Sequence, residues 1–79
     1  MENELISNET EQKIIGDLKD VIKKGSGRID LETYLGGIKG ACMDFAVIYE
    51  SSDEIQCFVN EQRQKGVNIQ VNENNISVL

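Results

Sequence analysis

Residues 42–50, CMDFAVIYE, decide how this chain is read, because Phe45, Val47, Ile48 and Tyr49 follow one another almost without interruption. A near-continuous apolar run is the mark of a strand buried on both faces. A helical alternative competes: Leu31, Leu35, Ile38, Cys42, Phe45 and Tyr49 recur at alternating steps of four and three, the stripe that a single helix would bury. Gly36, Gly37 and Gly40 oppose that helix, each costing about 0.8–1 kcal/mol relative to Ala in a helix interior. The segment is therefore expected to break at the glycines and to run extended from 42 to 50.

Downstream, Ser51 and Glu54 have the S-x-x-E spacing of a capping box, and Asp53 adds negative charge where a helix dipole is positive. Ile55, Phe58 and Val59 then form an apolar stripe, with Arg63, Lys65 and Gly66 supplying the stop. Val67, Ile69 and Val71 alternate with Asn68, Gln70 and Asn72 as in a strand with one wet face. The turn-rich residues 72–75 lead to Ile76, Ser77 and Val78, so the chain is expected to close in a hairpin.

Upstream, residues 1–7 are expected to be a flexible lead-in to a single compact domain of residues 8–79. Asn8 and Glu11 give a helix start, and Ile14, Ile15, Leu18, Val21 and Ile22 line one face before Lys23, Lys24 and Gly25 end it. After the turn at Gly25, Ser26 and Gly27, residues 29–33 alternate as a strand would. Yet Leu31, Tyr34, Leu35 and Ile38 also fit a helix capped by Asp30, and a short second helix over 31–38 is the reading adopted. The expected class is α+β, with both early helices packed on a small sheet built from a strand-helix-strand unit over 42–71 and the C-terminal hairpin.

Composition narrows the function. At 79 residues the chain is expected to bury only about 60% of its unfolded surface. Covering a sheet edge or the Phe45/Tyr49 face in a homodimer would supplement so small a core. A formal net charge of -6 disfavours direct contact with nucleic acid and suits a partner with a basic surface. The polar, acidic N-terminus does not read as a secretory signal, and no run approaches a membrane span. The expectation is a cytoplasmic protein whose Cys42 and Cys57 are reduced, small core residues.

The chain has no His, which removes the commonest general base and transition-metal ligand, and its two Cys lack C-x-x-C spacing. Gly37, Ile38, Lys39 and Gly40 match the G-x-x-G with which KH modules clamp a nucleic-acid backbone, but the helix such a fold needs next is replaced here by a strand-like run. No enzyme, cofactor or metal is expected.

The helix followed by IKKGSGRIDLETYL (22–35) and SSDEIQCFVNEQRQKGVNIQVNE (51–73) resembles the acidic N-terminal region 1.1 of primary bacterial sigma factors. Gly27, Ile29, Leu31, Asp53, Ile55, Phe58, Val59, Gly66, Val67 and Ile69 carry the resemblance. The compact link between that family's second and third helices is replaced here by a longer segment holding the chain's most apolar run. The resemblance implies an acidic module that occupies the DNA channel of RNA polymerase. Read from the residues alone, the chain is a small acidic regulatory or inhibitor-like protein that binds a macromolecular partner. Glu50, Asp53, Glu54, Glu61 and Glu73 are the candidate partner-binding carboxylates, with Phe45 and Tyr49 as the apolar candidates. A self-assembling structural module is the alternative.

Overall fold

In the computed structural model, which describes residues 6–37 and 44–79, the first helix, α1, spans Asn8–Lys24 and buries Ile14, Ile15 and Leu18. The expected stripe is present, with Val21 and Ile22 half-buried beside it. Its start lies one residue earlier than expected. The Ser7 hydroxyl, not the Asn8 side chain, accepts the Thr10 amide at 3.2 Å. Ile6, expected in the lead-in, is buried in the core, so the folded domain takes in residues 6 and 7. At the other end Gly25 has φ +106 and its N–H reaches the carbonyls of Ile22 and Val21 at 3.0 and 3.1 Å, the backbone glycine provides at a helix end.

The expected strand over 42–50 is overturned. Asp44 accepts the Val47 amide at 2.9 Å and starts a second helix, α2, over Phe45–Ser51; residues 42 and 43 lie outside the described residues. Phe45 and Ile48 are buried at 0% and 1% exposure, whereas Val47 is 38% exposed. A strand would have put Phe45, Val47 and Tyr49 on one face, so the observed burial follows the period of a helix. Seven residues cannot hold a helix by local bonds alone, and the packing of Phe45 and Ile48 supplies what they lack.

α2 ends where the third helix, α3 (Asp53–Gln64), begins, and Ser52 serves both. Its N–H donates to the Ile48 carbonyl at 3.0 Å, and its hydroxyl accepts the Ile55 amide at 3.2 Å. The expected box at Ser51 is thus displaced by one residue, and Glu54 turns instead to Gln12. Ile55 and Val59 are fully buried and Phe58 half-buried, as the stripe implied. α3 closes in a Schellman arrangement: Gly66, at φ +95, donates to Arg63 and Val67 donates to Gln62, each at 3.0 Å.

Among the described residues there are three short strands, β1 (Gly27–Asp30), β2 (Ile69–Val71) and β3 (Asn75–Val78), in the order β1-β3-β2 and antiparallel throughout. The hairpin of β2 and β3 is as expected. β1 is an addition, and it makes the last strand the central one. Ile29 and Val71 flank Ile76, while Gly27 and Ile69 flank Val78, so the inward residues of β3 meet a neighbour on each side. Between β1 and α2, Leu31–Gly37 winds as a 3₁₀ helix, with Leu31 and Tyr34 buried. The expected helix there is thus a tighter one that follows a strand, and Ile38 lies outside the described residues.

The α+β class holds, with three α-helices against a three-stranded sheet among the described residues. Phe45, Ile14, Leu18, Ile48, Ile55, Ile76 and Val59 form the most deeply buried centre, drawn from all three helices and the central strand. The turn between β2 and β3 is anchored from below. Leu31 N–H donates to the Asn74 carbonyl at 2.8 Å and Phe45 N–H to the Glu73 carbonyl at 2.9 Å.

Candidate functional site on the third helix

Burial of Ile55 and Val59 fixes which way α3 faces, and the opposite side follows from helical spacing. Asp53 and Cys57 are four apart, Glu54 and Phe58 four apart, and Phe58 and Glu61 three apart, so these five residues share one side. They line a shallow depression of about 360 Å³ with Phe58 half-buried at its base. Cys57, expected in the core, is an exposed free thiol on this side. Its neighbours in the helix spacing are carboxylates rather than apolar residues, and that pattern could have placed it outside.

Three of the five candidate carboxylates, Asp53, Glu54 and Glu61, line the depression. Glu50 lies exposed at the end of α2, and Asp53, Glu54 and Glu61 are exposed on α3. Glu73 stands apart. Its carbonyl accepts the Phe45 amide at the start of α2, the opposite end of that helix from Glu50. The apolar candidates fare differently. Phe45 is fully buried and meets the Tyr34 ring edge-on with centroids 6.1 Å apart, so it offers no surface to a partner. Tyr49 is half-buried, with its hydroxyl 3.4 Å from the Asn60 side-chain oxygen.

Helix α1 braces this surface. Glu11 accepts the Ser52 hydroxyl at the start of α3, and Gln12 donates to Glu54 at 2.6 Å. Lys19 holds its ammonium 6.0 Å from the centroid of the Phe58 ring. The sequence named Glu11 only as part of a helix start and did not point to Gln12 or Lys19, since each of these contacts needs a neighbour about 40 positions away and no local period reports that.

No protein-family profile, curated protein or solved structure matches the chain. Among the described residues, no group of three or more His, Cys, Asp or Glu could hold a metal ion. No helix among them is long and apolar enough to cross a membrane.

Proposed function

We propose that this domain is a protein-binding module that presents the outer side of α3 to a basic surface on a regulated partner. With Ile55 and Val59 buried, α3 turns Asp53, Glu54 and Glu61 outward. A fold by itself carries no function, so the chemistry of that helix decides. Helices that enter a DNA groove bring cations to phosphate. This one brings Asp53, Glu54 and Glu61, and its one cation, Arg63, donates to the Ile69 carbonyl at 2.8 and 3.2 Å. That charge reversal on the outward helix carries the reading.

A second reading has its own support. The departure from a sigma region 1.1-like module is the longer segment between its second and third helices, and α2 makes part of that segment helical rather than extended. Of the residues carrying the resemblance, Ile29, Leu31, Ile55, Val59 and Ile69 are buried, and Gly27 and Gly66 take positive φ. This reading specifies the basic surface as the DNA channel of RNA polymerase. A self-assembling module has less to stand on: Phe45 is buried, and the β1 edge is short and carries the Arg28–Asp30 ion pair at 3.2 Å, devices that blunt edge pairing.

The test is affinity purification from the native host with the wild-type chain and with Asp53, Glu54 and Glu61 each replaced by Lys. A partner retained by the first, lost by the second and released by salt supports the module. Identical recovery by both overturns it. Competition between the domain and DNA for purified RNA polymerase separates the sigma-like reading from the general one.

A further inference from the structure

β3 lies on one side of β1, and among the described residues no strand lies on the other. The Leu31 N–H donates to the Asn74 carbonyl across the shared side, and antiparallel bonding alternates, so Ile29 and Gly27 also turn their backbone groups to β3. Arg28 and Asp30 therefore point their N–H and C=O groups away from the sheet, at its open edge. Their side chains are 65% and 49% exposed, and the 3.2 Å ion pair between them is a surface contact that solvent weakens. Charge along this edge has a direction. Lys23, Lys24 and Arg28 stand at its start, and Asp30 and Glu32 at its end.

We propose that β1 pairs with β1 of a second copy of this chain, antiparallel about a two-fold axis at Ile29, so that two three-stranded sheets become one continuous sheet. Arg28 then lies directly opposite the partner's Asp30, and Asp30 opposite the partner's Arg28. Their outward N–H and C=O groups exchange the ladder bonds, and their side chains, on one face, set opposite charges together. The basic start of each edge meets the acidic end of the other. Sliding either strand by two residues sets Arg28 against Arg28 or Asp30 against Asp30, which like-charge repulsion disfavours. The charges that blunt this edge toward a stray strand thus select one partner and one register. The edge is separate from α3, so this inference and the acidic-surface reading stand or fall independently.

Analytical ultracentrifugation from roughly ten micromolar to roughly one millimolar chain tests this. The wild-type chain should move from 8.8 kDa toward twice that mass as concentration rises. Arg28→Asp and Asp30→Arg each set like charges face to face and should weaken self-association at least about tenfold. Asp30→Arg also brings the net charge nearer zero, so its weakening cannot come from general repulsion. Mixed together, the two variants restore both opposite-charge pairs and should associate within about threefold of wild type. Amide exchange in the wild-type chain checks the same edge without a substitution: the Arg28 and Asp30 N–H groups should slow several-fold as concentration rises, while that of Val71, on the strand at the other edge, should not change. A wild-type chain that stays at 8.8 kDa throughout, single variants that associate as wild type does, or a mixture that stays monomeric overturns the pairing.

Discussion

Ser52 donates its hydroxyl hydrogen to the Glu11 carboxylate while the same oxygen accepts the Ile55 amide at 3.2 Å, so one side chain both starts α3 and ties it to α1. Ser52 is only 6% exposed, which removes water as a substitute partner for that amide. Ser52→Ala should therefore cost about 1–2 kcal/mol in urea unfolding, the upper part of the range for lost caps. Ser51 is exposed, and Ser51→Ala should change stability by less than about 0.5 kcal/mol. The reverse ranking would return the cap to Ser51 and remove the tie to α1.

Tyr34 is 3% exposed, and its hydroxyl donates to Asp17 on α1. Burial first, then that hydrogen bond, then the negative charges of Asp17 and Asp30 push its ionisation well above the ordinary phenol range. The folded state therefore keeps the phenol proton more tightly than the unfolded chain does. The resulting stability is complete below about pH 10, where an unfolded tyrosine ionises, and is lost as pH rises beyond it. Tyr34→Phe should cost about 1 kcal/mol at neutral pH. The gap between wild type and variant in denaturant titrations should narrow above about pH 10; a gap that widens there would contradict the buried phenol.

Phe45 and Val47 give a direct reading of whether residues 45–51 are helical. Phe45→Ala should cost about 3–5 kcal/mol, enough to unfold much of a domain this small. Val47→Ser, on the exposed side of α2, should shift the urea midpoint by an amount equivalent to less than about 0.5 kcal/mol. Comparable losses at both sites would restore a strand buried on two faces.

Gly16 and Gly66 should respond to alanine in opposite directions. A Cβ at Gly16 meets nothing within 4 Å in the middle of α1, so Gly16→Ala should stabilise by about 0.5–1 kcal/mol and raise the melting temperature by several degrees. Gly66 has equally open surroundings but φ +95, and Gly66→Ala should destabilise by about 1–2 kcal/mol. Thermal unfolding of the two variants against wild type checks both. Space is the same at the two sites, so the contrast isolates backbone conformation.

The carboxylates of the candidate surface could be named from the sequence because Asp53, Glu54 and Glu61 sit opposite the Ile55 and Val59 stripe in any helix of that register. Glu73 could not be separated from them, since its distance along the structure depends on where the hairpin turn docks. Phe45 was misplaced for a related reason: an apolar residue at the end of a glycine-broken segment looks equally available to a core or to a partner. Lys19 and Gln12 became part of the surface only through the packing of α1 on α3.

By itself the sequence determined α1, α3 and the hairpin of β2 and β3, because each is written in interactions spanning a few residues: a glycine stop, a repeat of apolar positions, a turn of Asn residues. Tertiary structure alone decided that residues 45–51 coil, that Ser52 is the cap, and that β1 joins the sheet beside the last strand. A seven-residue helix and a four-residue strand gain too little locally to choose a conformation, so the choice passes to the partners that cover Phe45, Ile48 and Ile29.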